Sequence, residues 1–241
     1  MTMSSEAIAL SDLRFGWDDE DVVGIDHLSV PAGQRVLIAG PSGCGKSTLL
    51  GLIGGVTVPR QGSVSVLGET ISALSPRRRD RFRADHIGIV FQLFNLVPYL
   101  STVDNVTLPC RFSMRRRSRA NAAGSGLVAE ATRLLAALGL STPALRQRSV
   151  TDLSVGQQQR VAAARALMGR PEVLIADEPT SALDEASSAQ FLDLLMKECD
   201  ASGTTLILVS HDARLASFFD RNVSFLDINH TVSPRGALEQ E

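Results

Sequence analysis

The chain has 241 residues, 44% of them apolar and 21% charged, with 24 basic against 26 acidic side chains and a net charge of −2. That is long and apolar enough for one large α/β domain with a buried core, and a field so near neutrality excludes a protein that gathers nucleic acid by charge. Cys44, Cys110 and Cys199 are too few and too scattered for a disulfide framework or a metal-ligand spacing, which fits a reducing cytosol.

Met1-Thr2-Met3-Ser4-Ser5-Glu6 carries no basic region and no apolar run, so no signal peptide is read. Residues 8–17 alternate apolar and polar, as a half-buried strand does. An acidic turn at Asp18-Asp19-Glu20-Asp21 and a second strand over 25–30 follow, then the turn Pro31-Ala32-Gly33. Arg35-Val36-Leu37-Ile38-Ala39 is the next strand.

That strand runs into Gly40-Pro41-Ser42-Gly43-Cys44-Gly45-Lys46-Ser47-Thr48, the pattern G-x-x-x-x-G-K-[ST], with a helix expected over about 45–54. Its glycines let successive backbone N–H groups turn inward on a polyphosphate, and the helix adds its positive N-terminal end. Lys46 is expected to reach the β- and γ-phosphates and the Ser47 hydroxyl to bind Mg²⁺. The motif predicts binding of a nucleoside triphosphate. Cys44, beside a helix N-terminus and Lys46, reads as a thiol that favours its thiolate. The longest apolar stretch, residues 49–58, is broken by Gly51, Gly54 and Gly55 and falls short of the roughly 18 to 20 residues of a membrane span. Work at a membrane would need another chain to cross it.

Past the turn at Pro59-Arg60-Gln61-Gly62, residues 63–67 read as a strand and 76–84 as a helix. Ile87-Gly88-Ile89-Val90-Phe91 is a short buried strand ending at Gln92, whose neutral amide suits both a metal-bound water and a nucleophilic one. From 93 to about 151 helical spacing takes over, clearest at Leu127, Ala131, Leu134, Leu135 and Leu138. Residues 115–126, basic, small and polar, read as a mobile loop. Two arginine runs, 77–83 and 111–119, read as solvated surface or as contacts for acidic lipid headgroups or a membrane partner. Phe94, Leu96, Val97, Tyr99 and Leu100 read either as core of this helical lobe or as a groove for a partner's helix.

Leu153-Ser154-Val155-Gly156-Gln157 opens a helix over 154–168 with a capping box, Ser154 reaching forward and Gln157 back. Gly156 is costly inside a helix but useful where a phosphate approaches the backbone. Val173-Leu174-Ile175-Ala176-Asp177-Glu178 is a buried strand ending in two carboxylates, at the edge where open parallel sheets bind ligands. Asp177 is expected to support Mg²⁺ beside Ser47, and Glu178 to orient and deprotonate an attacking water. A helix over 185–198 and a strand over 204–209 follow, ending at Ser210 and His211, whose imidazole is expected to hydrogen-bond the γ-phosphate. Strands alternating with helices predict a mainly parallel sheet covered on both faces. An antiparallel β subdomain should precede it, and a helical lobe over about 93–168 is inserted in it.

In this order, the phosphate loop, Gln92, the Leu153–Gln157 segment, the acidic strand, the Ser181-Ala182-Leu183-Asp184 turn and His211 resemble the ATP-binding subunit of an ABC transporter. The likeness covers essentially the whole chain, as a single ATP-binding domain over 6–236. Residues 91–100 resemble the subgroup serving lipoprotein release and macrolide efflux. The resemblance implies an ATPase that dimerises head to tail around two Mg-ATP, Ser154, Gly156 and Gln157 of one copy meeting the phosphates held by Lys46 of the other. It implies that Asp184 joins the two sites and that an aromatic residue, Trp17 or alternatively Phe15, stacks on adenine. It also implies separate transmembrane permease subunits, a place at the cytoplasmic face of the membrane, and no nucleic-acid partner. An envelope regulator that moves a membrane partner without cargo is the alternative. Val155 stands where the family usually has glycine.

Overall fold

A computed structural model describes residues 6–18, 20–122, 126–145 and 147–231. Asp19 of the acidic turn, residues 1–5, residues 123–125 of the expected loop and residues 232–236 of the expected domain lie outside the described residues.

Two sheets organise the molecule. The first is antiparallel. β1 (Glu6–Phe15) pairs with β2 (Val23–Pro31) on one side and β4 (Gln61–Val66) on the other, and β4 pairs with the short β5 (Glu69–Thr70). The second is the parallel sheet expected from the alternation of elements. It contains β3 (Arg35–Ala39), β6 (Ile87–Val90), β7 (Val173–Asp177), β8 (Thr205–Ser210) and β9 (Arg221–Ser224), in the order β6-β7-β8-β3-β9.

These parallel strands read as unbroken apolar runs because both of their faces are covered. Leu37, Leu174, Ala176, Leu206 and Leu208 face one apolar cluster, shared with the helical lobe. Their neighbours Val36, Ile38, Val173, Ile175, Ile207 and Val209 face a second cluster, shared with the antiparallel sheet and α1 (Lys46–Ile53). The period of two along each strand thus sorts side chains between two cores.

α2 (Pro76–His86) leads into β6. The lobe follows as α3 (Thr102–Thr107), α4 (Pro109–Phe112), α5 (Met114–Asn121), α6 (Leu127–Ala137) and α7 (Val155–Leu167). α8 (Glu185–Ser202) and α9 (Phe225–Ile228) complete the α-helices among the described residues. β6 lies so close to the last turn of α7 that a Cβ at Gly88 would sit 2.4 Å from the Ala166 carbonyl oxygen, so only glycine fits there.

Three expectations change. Most of the expected mobile loop is α5: the Ser113 hydroxyl caps it by accepting from the Arg116 N–H at 3.0 Å. Arg117 is exposed, as a solvated surface requires, whereas the other three arginines of the helix find partners in the protein. Arg115 and Arg119 donate to Glu172 at 2.6 and 2.7 Å, where His86 also lies at 3.3 Å, and burial pushes Arg116 down to about 10. In the other run, Arg79 and Arg83 both donate to the Gly55 carbonyl at the end of α1. Among the five apolar residues of 94–100, Leu96 packs against the lobe core whereas Tyr99 is 85% exposed. None of these five lines the neighbouring groove, where Phe82, Phe91, Pro109 and Phe112 stand beside Arg77, Arg78, Arg81 and Arg83.

Candidate nucleotide site

The loop between β3 and α1 takes a shape that its glycines permit. Gly43 has φ +79° and Gly45, the residue capping α1, has φ +109°, values costly for a side chain bearing Cβ. The Gly40 N–H donates to the Ser210 carbonyl at 3.1 Å, tying the loop to the end of β8. Lys46 is 4% exposed. Its ammonium donates to the Gly40 and Pro41 carbonyls at 2.9 and 2.7 Å and lies 3.4 Å from Glu178 Oε1. A buried cation needs such partners.

Ser47 donates to Asp177 Oδ1 at 3.0 Å. Burial raises the Asp177 pKa above the usual carboxylate value; the Ser47 hydrogen bond opposes this, Glu178 adds to it and Lys46 works against it. Two hard oxygens this close fit Mg²⁺, which binds through one or two side chains plus substrate phosphates. Among the described residues no group of three His, Cys, Asp or Glu is placed to hold a metal, so substrate oxygens would have to complete the shell.

Glu178 follows β7 with φ +42°, in the left-handed region, a strained state that surrounding structure must hold in place. Its N–H donates to Val209 O at 3.0 Å, and its own carbonyl accepts from Ser181 Oγ at 3.0 Å. The side chain is 11% exposed, and Oε2 lies 2.8 Å from His211 Nδ1. A neutral imidazole donates one hydrogen bond. With Glu178 ionised that proton sits on Nδ1, so Nε2 is an acceptor, and donation to a phosphate from Nε2 requires the imidazolium.

Trp17, Ser42, Gly43, Gly45, Lys46, Ser47, Thr48, Gln92 and Glu178 line one cavity of about 410 Å³. Val22 lines it too. The sequence reading missed this residue, since an apolar side chain before a strand carries no signal of a binding wall. Of the two aromatic candidates, Phe15 is buried and Trp17 is 67% exposed. Trp17 stands perpendicular to Phe15 with centroids 5.1 Å apart, and most of its surface is open to solvent.

Ser154, Gly156, Gln157 and Asp184 are not among the residues lining this cavity. Ser154 and Gln157 close the expected capping box: the Gln157 N–H donates to Ser154 Oγ at 3.3 Å and the Ser154 N–H to Gln157 Oε1 at 3.0 Å. Val155, first in the helix, is 50% exposed, and a Cβ on Gly156 would meet Leu183 Cδ2 at 3.4 Å. Asp184 caps α8, accepting from Ser187 N and Ser187 Oγ, both at 2.8 Å. Cys44 differs from expectation. Burial raises its pKa and outweighs the lowering by Lys46, so the thiol form is favoured.

A family model described as "ABC transporter" matches residues 25–181, from β2 through the phosphate loop and the acidic strand. The chain belongs to the ABC transporter family. It is an ATP-binding cassette with the ATPase fold of that family. It is 39% identical over 216 residues to the macrolide export ATP-binding/permease protein MacB of Rhodopirellula baltica, covering 90% of this chain and 31% of that protein. It is 37% identical over 217 residues to the probable syringafactin export ATP-binding/permease protein SyfD of Pseudomonas syringae pv. syringae, covering 89% of this chain and 32% of that one. The cassette thus spans about a third of the length of these curated relatives. Among solved structures, the dimeric ATP-binding cassette MJ0796 in a post-hydrolysis state with ADP and Pi superposes with a TM-score of 0.78 and 34% identity. That match covers 90% of this chain and 94% of that one.

Proposed function

We propose that this cassette hydrolyses Mg-ATP as a head-to-tail pair of copies and drives an export system whose membrane-crossing permease is separate from it. The observation that carries the reading is Glu178, whose backbone is strained just after β7 and whose carboxylate is held between Lys46 at 3.4 Å and His211 at 2.8 Å beside the phosphate-binding loop. A carboxylate fixed on two sides is placed to take the proton of an attacking water. His211 Nδ1 holds its orientation. Lys46 and the inward N–H groups of the loop carry the phosphate charge. A bound magnesium ion neutralises part of that charge; Ser47 and Asp177 are the side chains that would hold it, with Gln92 at the same cavity. Trp17 offers its exposed ring to the adenine.

That Ser154, Gly156 and Gln157 lie outside the cavity of their own chain supports their service to a second copy, as do the dimeric cassettes the fold matches. No helix among the described residues is long and apolar enough to cross a membrane. On this reading the described residues belong to one domain at the cytoplasmic face, and a permease helix docks in the groove of about 980 Å³ that Phe82, Phe91 and Phe112 line beside Gln92. Export is supported by the names of the macrolide and syringafactin relatives.

The test is Glu178→Gln. Turnover should fall roughly 10²- to 10⁴-fold while ATP binding survives and a dimer accumulates in Mg-ATP, measured by light scattering with and without the membrane partner. A strictly monomeric variant under both conditions would falsify the paired arrangement.

A further inference from the structure

The segment after Gln92 is fastened to the lobe and not to the sheet that delivers it. Phe94 and Asn95 both adopt left-handed backbone, φ +61° and +48°, strained for residues bearing Cβ. Their carbonyl oxygens point at one guanidinium: Arg165 Nη2 donates to Phe94 O and Nη1 to Asn95 O, each at 2.6 Å. Two residues on, the buried Asn105 of α3 accepts from the Val97 N–H at 2.8 Å and returns a hydrogen bond to Val97 O at 3.0 Å. Gln92 itself lines the cavity with Lys46, Ser47 and Glu178.

Arg165 lies in the last turn of α7, the helix that Ser154 opens. It is buried, and burial alone lowers its pKa. Among the described residues no carboxylate pairs with it, so a desolvated cation has two neutral carbonyls as its partners. A buried charge held this way costs stability. Its planar fork matches two adjacent carbonyls, as a lysine's point charge would not.

We propose that Arg165 is a positioning residue for ATP hydrolysis: its fork on Phe94 and Asn95 sets where Gln92 stands in the cavity and ties that position to the helix begun by Ser154. The inference rests on the reading of Gln92 as a residue of the site. A shift of α7 then carries the glutamine with it, so contact at Ser154 and readiness at Glu178 become linked through one side chain.

A double-mutant cycle on the full chain, with its membrane partner where one copurifies, tests this. Arg165→Met should lower kcat roughly 10- to 100-fold and raise the magnesium concentration needed for half-maximal turnover. ATP affinity should stay within about twofold. Arg165→Lys, reaching one carbonyl, should recover part of the rate. Combined with Gln92→Ala, the arginine change should add nothing further, because both act through the same amide. Multiplying losses, or a kcat that falls in step with ATP affinity and folded fraction, would make Arg165 a structural brace and overturn the proposal. Should Arg165→Met not fold, Arg165→Lys takes its place in the cycle: losses that do not add support the proposal, and losses that multiply overturn it. A Gln92→Ala protein with normal turnover would overturn the reading of Gln92 and this inference together, whereas a defective one with multiplying losses would overturn the arginine alone.

Discussion

His211 Nδ1 lies 2.8 Å from Glu178 Oε2, joining the end of β8 to the residue after β7 across adjacent parallel strands. The imidazole fixes one carboxylate oxygen while the other faces Lys46. His211→Ala should therefore lower kcat by roughly 10²-fold and leave ATP affinity nearly unchanged, because the phosphate loop is intact. Steady-state turnover alongside nucleotide titration separates the two. An equal loss in both would assign His211 to binding.

Trp17 and Phe15 touch, yet their replacement should give opposite results. Phe15 is buried in the core beneath the antiparallel sheet, so Phe15→Ala should cost about 3–5 kcal/mol of stability. Trp17→Ala removes an exposed ring and should leave the melting temperature unchanged, weakening ATP binding by about 1–2 kcal/mol, the scale of base stacking. Trp17→Phe should restore most of it. Thermal melts beside binding isotherms decide the matter.

Glu172 predicts an acid sensitivity in the fastening of the lobe. Burial raises its pKa, but hydrogen bonds from His86, Arg119 and Arg115 outweigh burial and hold it well below the ordinary glutamate value of 4.5. A depressed carboxylate contributes stability above its unfolded pKa and loses it as pH falls through the folded value. Stability should thus decline as pH drops below 4.5, and Glu172→Gln should flatten that decline in urea melts. At neutral pH the variant should lose about 1–2 kcal/mol, a modest figure because Arg115 is 45% exposed and its share is screened.

Cys44 should alkylate slowly at neutral pH. Its pKa is raised above the ordinary thiol value of 9.0 by burial, and the thiolate is the nucleophile. Its rate with iodoacetamide should keep climbing about tenfold per pH unit beyond 9.0, where an unperturbed thiol levels off. ATP should slow the reaction further, read by mass spectrometry of the loop peptide. A rate that plateaus below pH 9.0 would contradict the burial argument.

Local chemistry explains what could be read before any fold was known. The phosphate loop, the capping box at Ser154 and the strand ending in Asp177-Glu178 are contiguous. Their glycines, caps and apolar runs act over a few residues, so their order along the chain was enough to indicate the family. The parallel sheet was legible for the same reason, since strands covered on both faces must be apolar throughout. The pairing of Arg115 and Arg119 was not legible because their carboxylate, Glu172, arrives 57 residues after Arg115, and no local window contains both.

Tertiary contact decided the remainder. Whether Trp17 or Phe15 is open to solvent, whether Cys44 is a thiol or a thiolate, and that His211 meets Glu178 all depend on burial and on distances between separate strands. Arg165 makes the point most plainly. Along the chain it is one arginine in the alanine-rich helix α7; in the fold it holds two carbonyls lying 70 and 71 residues earlier. A hydrogen bond reaches about 3 Å, and only chain folding brings residues so far apart in order to within that range.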